Sequence, residues 1–215
     1  MLPRFHRDWY DQLIIVDGGS TDGTAEYLES EGYFVISQKK KGLRHAFAEA
    51  MPFVEGDTII TFSPDGNSIP ELIPPLIRKM REGYDMVVVS RYCDGAKSHD
   101  DSILTALANV AVTRLVNMFY RARYSDSMVI FRAYKKDLVY RLDLNDDTTY
   151  SLEEKLIGKP VGWELILSIR CAKRKLKTAE IPGDEPRRID RMKKVHYRWG
   201  LAMVVQVLKE LFVWR

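Results

Sequence analysis

The sequence predicts an α/β domain with a mainly parallel sheet flanked by helices. Three observations lead there. Short apolar runs alternate with stretches of helical spacing. The runs lack a polar alternation, as strands covered on both faces do. Residues able to do chemistry collect just after the runs, where ligands bind in open α/β sheets. The 215-residue chain is 46% hydrophobic, enough for one sizeable core without disulfide or metal staples.

Taken in order, "QLIIVDG" (12–18), "YFVISQ" (33–38), "DTIITFS" (57–63) and "DMVVVSR" (85–91) read as strands buried on both faces. Between them, "TDGTAEYLESEG", "GLRHAFAEAMPFV" and "PELIPPLIRKMREG" carry helical spacing, the last behind a capping box of Ser68 and Glu71. Beyond residue 92, a long helix is expected over 100–122 and a strand over 128–134. A helix over 162–176 and a strand over 177–182 follow. Residues 1–195 form the predicted domain. An amphipathic helix within 196–215 packs on or beside it, a reading favoured over a place in a bilayer interface by its few Lys and Arg.

Composition narrows the function. A net charge of +3 does not call for nucleic acid. Cys93 and Cys171 are isolated, which points to neither a disulfide framework nor a zinc site and fits a reducing, cytoplasmic setting. No signal-peptide h-region is seen, and no stretch approaches the roughly 20 apolar residues that span a bilayer. The expected location is cytoplasmic or peripheral to a membrane. His6, His45, His99 and His196 have no metal-ligand spacing.

The strand ends carry the candidate chemistry. "DGGSTDGT" (17–24) places Asp17 as an acceptor for a base or ribose; the alternative is a strand–helix turn capped by Ser20 or Thr21. Asp65, between Pro64 and Gly66, is a metal ligand or a turn residue. Arg91 ends the fourth strand, and Arg188, Lys193 and Lys194 follow the last one; each also reads as a solvated surface cation.

These segments resemble family 2 glycosyltransferases of the dolichyl- and polyprenyl-phosphate type. The likeness rests on "IIVDGGSTDGT", "KKKGLRHAFAEA", "FSPDGNSIPELIPPLI", "DMVVVSRY", "YSDSMVIFRAYKKD" and "AEIPGDEPRRIDRMKKV", in that order over most of 11–195. It implies a nucleotide-sugar-binding, glycosyltransferase A-type (Rossmann-like) fold. It also implies inverting transfer from a nucleoside-diphosphate sugar to a lipid phosphate with Mg²⁺ or Mn²⁺. By the same resemblance, Asp17, Gly19, Gly42 and Asp65 bind nucleotide and Asp65 binds metal. Arg91 meets the acceptor phosphate, and Arg188, Lys193 and Lys194 form a flap over the phosphates. Glu164 is the candidate catalytic carboxylate beside Asp65, although a Glu at a helix N-terminus is common for dipole reasons.

The chain departs from the family pattern at Gly18 and Ser63, where acids are expected, and in the flap at Asp190, Arg191 and Met192. It also lacks the family's first strand beside "QLIIVD". A longer natural N-terminus, re-pairing of strands, or strand addition by another chain or a second copy would close that gap. The alternative function is a catalytically idle nucleotide-binding or regulatory relative. A nucleotidyltransferase is disfavoured because its Gly- and Lys-rich phosphate loop is absent.

Overall fold

A computed structural model describes residues 1–189 and 197–213. The first unit is β1 (Ile14–Asp17), α1 (Thr24–Ser30) and β2 (Phe34–Ser37), with β1 and β2 paired in parallel from Ile14 opposite Phe34 to Asp17 opposite Ser37. Next come α2 (Leu43–Ala50), β3 (Thr58–Thr61), α3 (Ile73–Met80) and β4 (Met86–Ser90). The second half runs α4 (Ile103–Tyr120), β5 (Arg132–Lys135), α5 (Leu138–Arg141), α6 (Ser151–Ile157), α7 (Glu164–Lys173), β6 (Thr178–Pro182) and α8 (Tyr197–Lys209). Helices α5 and α6 have no counterpart in the sequence reading.

The sheet is divided. A two-stranded sheet holds β1 and β2, and a four-stranded one has the order β3-β5-β4-β6. Strands β4 and β6 are parallel, whereas β5 lies antiparallel between β3 and β4. Among the described residues no ladder joins β1 to β3, so the edge of β1 away from β2 is unpaired. The N-terminal segment packs nearby instead: the Phe5 ring meets Phe62 edge-on at 5.0 Å, and Phe62 meets Phe131 at 5.1 Å.

That division corrects the expectation of four doubly buried strands. Only β4 is buried throughout, with Val87 and Val89 against Ile73, Leu76 and Met80, and Met86 and Val88 against Val112, Val116 and Ile166. Successive side chains point to opposite faces, so an interior strand covered by helices on both sides needs apolar residues at every position. In the two-stranded unit, Phe34 of β2 remains 46% exposed.

Two local expectations also change. The Ser68–Glu71 capping box is not formed: Ile69 precedes a 3-10 turn at Pro70–Leu72, and Glu71 takes the fork of Arg4 at 3.1 and 2.6 Å. Proline at its start, not a capping side chain, opens α3. The helix at 103–120 is, by length and composition, apolar enough to cross a bilayer, contrary to the sequence reading. It is nevertheless part of the domain, capped by Ser102 on the Thr105 N–H (3.1 Å) and burying Asn109, Val112, Thr113 and Val116. Helix α8 packs on α4, α6 and α7, where Arg170 holds the buried Glu210 with two hydrogen bonds at 3.1 and 2.9 Å.

Candidate active site

The carboxyl end of β1 turns on Asp17. One carboxylate oxygen accepts from the N–H groups of Gly19 (3.0 Å) and Ser20 (2.9 Å), and the other from the Ser20 hydroxyl. The Ser20 hydroxyl first, then its N–H, hold the Asp17 carboxyl below the usual carboxylate range. Gly19 sits at φ +94°, a conformation that favours glycine. Neither Ser20 nor Thr21 caps α1; Gly23 occupies that position, and the Asp22 carboxylate accepts from the Thr24 N–H at 3.1 Å.

Gly42 begins α2 with φ +110°, and a Cβ there would lie 2.5 Å from the Pro160 Cβ. Its carbonyl accepts from Gln38 Nε2 at 2.7 Å. The backbone at Gly42 is therefore fitted against the 158–161 turn, a packing reason for glycine.

Strands β3, β4 and β6 bring the remaining groups together. Asp65 lies beyond β3, and Arg188 beyond β6 reaches both Asp65 (3.3 Å) and Asp100 (2.9 Å). The chain closes over the same turn, with the Ile189 N–H donating to the Asp65 carbonyl at 2.9 Å. Arg91, just after β4, donates to Asp126 through Nε at 2.6 Å and Nη2 at 3.1 Å, and through Nη1 to Glu185 at 3.3 Å. Asn67 Nδ2 donates to Glu185 at 3.1 Å. Ser63, Asn67, Arg91, Gly183, Glu185 and Arg188 line one cavity of about 120 Å³.

The electrostatics of this cluster follow from burial and pairing. Burial alone would lower Arg91, but Asp126 and Glu185 reverse it, so the guanidinium is firmly protonated. Burial pushes Glu185 above the usual carboxylate range despite Arg91. Asp126, the fork's bidentate partner, is the stronger mate. Arg91 thus already faces three acids, with Asp101 at 3.7 Å. Arg188 is the more open cation, with 38% of its side chain exposed.

Glu164 stands elsewhere. It is buried in the first turn of α7, its Oε1 has no hydrogen-bond partner, and it does not line the cavity. Burial raises its carboxyl above the ordinary value. Lys193 and Lys194 lie outside the described residues. Asp17, Gly19, Gly42 and Asp65 also stand outside the cavity lining, Asp65 reaching it only through its pair with Arg188.

Four acids in this network were not singled out from the sequence: Asp100, Asp101, Asp126 and Glu185. Asp126 was legible inside "YSDSMVIFRAY", and Glu185 inside "GDEPRR", immediately upstream of the basic stretch. Among the described residues no three His, Cys, Asp or Glu side chains gather to hold an ion by themselves. Asp65, a hard oxygen donor one-third exposed at a strand end, fits a divalent ion that brings its other ligands from phosphate and water.

The family model described as "Glycosyl transferase family 2" matches residues 8–146. The chain belongs to glycosyl transferase family 2. It is similar to "Glycosyltransferase AglJ" of Haloferax volcanii, 25% identical over 85% of this chain and 56% of that protein. It is also similar to a "Dolichyl-phosphate hexose transferase" of the same organism, 26% identical over 92% and 80% of the two chains. The chain thus spans little more than half the length of the first of these relatives. The crystal structure of glucosyl-3-phosphoglycerate synthase from Mycobacterium tuberculosis with Mn²⁺, UDP and phosphoglyceric acid superposes with a TM-score of 0.65. At 19% identity over 94% of this chain and 68% of that one, it supports the glycosyltransferase A-type fold of this family 2 chain.

Proposed function

We propose that this chain is a hexosyltransferase that moves a sugar, with inversion, from a nucleoside diphosphate to a polyprenyl or dolichyl phosphate. The observation that carries the reading is the place of Arg188, which pairs with Asp65 beyond β3 and lines one cavity with Arg91 beyond β4, although the three are far apart in sequence. A similar protein named as a dolichyl-phosphate hexose transferase supports the acceptor class.

Asp17, held ionised by its own turn, accepts from the nucleoside. Arg188 leaves Asp65 and Asp100 to meet the donor diphosphate, because a cavity of about 120 Å³ is too small for the donor while that side chain is in place. Asp65 would hold Mg²⁺ or Mn²⁺, which supplies charge neutralisation to the departing diphosphate. A phosphate acceptor is already an anion, so its oxygen can form the new bond to C1 as the diphosphate bond breaks, without a dedicated base. Arg91, kept in place by Asp126, turns its Nη1 from Glu185 to the acceptor phosphate. Lys193 and Lys194 complete the flap in this reading. Glu164 is given no role, since it is buried in the first turn of α7, where the cation acting on it is Arg132 and not Arg91 or Arg188.

A second reading, a nucleotide-binding relative without turnover, is favoured by one observation: Arg91 is already matched by Asp126, Glu185 and Asp101. The test is a thermal-shift panel of UDP, GDP, CDP and dTDP with Mn²⁺ or EDTA, followed by turnover assays with the matching sugar donors. At 100 Kd a nucleotide stabilises by about 2.7 kcal/mol. Metal-dependent binding with transfer to a short polyprenyl phosphate supports the enzyme. Metal-dependent binding without transfer or donor hydrolysis favours the idle relative, and no shift with any nucleotide overturns both.

A further inference from the structure

The face of α4 turned away from the core is apolar along its length. Ile103, Leu104, Leu107 and Met118 are 83%, 76%, 62% and 63% exposed. With Ala111 they fall within about 100° of the helix circumference, opposite the buried Asn109, Val112, Thr113 and Val116. The one charged residue in that stripe is Arg114.

Positive charge continues from it. Phe119, next to Met118, lines a groove whose other walls carry Arg121 and Arg123 from the end of α4 and Arg174, Lys175 and Lys177 from the turn into β6. The groove lining contains no Asp or Glu. The sequence has none between Asp101 and Asp126. An apolar helix face merging into a cationic groove fits an anionic bilayer: side chains enter the acyl boundary while the cations meet lipid phosphates. A second copy fits less well, because facing stripes would bring like charges together without an acid to pair them. Crossing the bilayer is also disfavoured, since α4 is tied to the domain through Asn109 on Tyr92 (3.0 Å) and Thr113 on Ser127 (2.9 Å).

We propose that the exposed face of α4 and the basic groove at its C-terminal end form a docking surface for an anionic membrane. The helix starts directly after Asp100 and Asp101, so docking through Ile103, Leu104 and Leu107 sets the mouth of the active site against the lipid. The surface goes beyond the transfer reaction, and its test requires neither donor nor acceptor.

The test is flotation of the full chain with phosphatidylcholine vesicles, with and without phosphatidylglycerol, at low and high salt. Wild type is expected to float with the anionic vesicles and to lose most of that binding at high salt. Arg121→Glu with Arg123→Glu is expected to weaken it by at least about 25-fold, from about fivefold for each basic residue. Leu104→Glu with Leu107→Glu is expected to abolish it, with Leu104→Ser and Leu107→Ser as the milder pair; circular dichroism and Tm check that each variant folds. Failure of wild type to float, equal flotation with neutral vesicles, or unchanged flotation of the folded leucine variants overturns the proposal. So does a dimer in sedimentation that the leucine variants split while flotation is unaffected.

Discussion

Arg91 and Asp126 form a bidentate pair, Nε to Oδ2 at 2.6 Å and Nη2 to Oδ1 at 3.1 Å, in which the Asp126 side chain is fully buried. The pair joins the end of β4 to the segment leading into β5. A buried carboxylate without its cation is costly, so the partners are best tested together.

Arg91→Ala is expected to destabilise the fold by about 3–5 kcal/mol, because Asp126 is left as an uncompensated buried charge. Arg91→Lys keeps the charge but not the fork, and a smaller loss follows. Urea unfolding measures both. A loss below about 1 kcal/mol in the alanine variant would show that the pair is open in solution.

Asp65→Ala is expected to lower turnover by about 100-fold or more while the circular dichroism spectrum is retained. The nucleotide thermal shift should also lose its sensitivity to EDTA. Unchanged turnover removes the metal assignment from Asp65.

Glu164 gives a pH dependence. Burial lifts its carboxyl above the ordinary 4.5, so the folded chain holds that proton more tightly than the unfolded chain does. The stability this group contributes is present below the ordinary value and lost as pH rises through the raised one. Glu164→Gln is therefore expected to have a higher Tm than wild type at neutral pH, with the difference closing towards about pH 4. Parallel Tm curves from acid to neutral pH would contradict the assignment. Retained turnover in the same variant is expected, because Glu164 is buried within α7 and pairs with neither Arg91 nor Arg188.

Gly42→Ala places a Cβ 2.5 Å from the Pro160 Cβ at a φ of +110°. A loss of about 1–3 kcal/mol is expected from overpacking and backbone strain. Thermal unfolding with and without nucleotide separates the two roles of the residue. An equal Tm loss in both conditions assigns Gly42 to packing, and an additional loss of the nucleotide shift assigns it to the donor site.

The order of β1 to β4 was legible in "LIIVD", "FVIS", "TIIT" and "MVVVS", because apolar periodicity is written within a few residues, whereas α5 and α6 were not. Equally legible was the place of Asp17, Asp65 and Arg91, each at or just past the end of a strand, since those turns follow directly from the strands. What tertiary structure decided is which distant groups meet. Asp126 and Glu185 reach Arg91 across 35 and 94 residues, and neither partner can be read from local spacing. The antiparallel place of β5 and the division of the sheet between β1 and β3 are likewise choices of pairing, not of propensity. Glu164 shows the same limit: a Glu at a helix start looks like an exposed, dipole-stabilised residue until packing buries it. Local sequence determined the elements and their polar ends, whereas burial and charge pairing arise only when those elements pack.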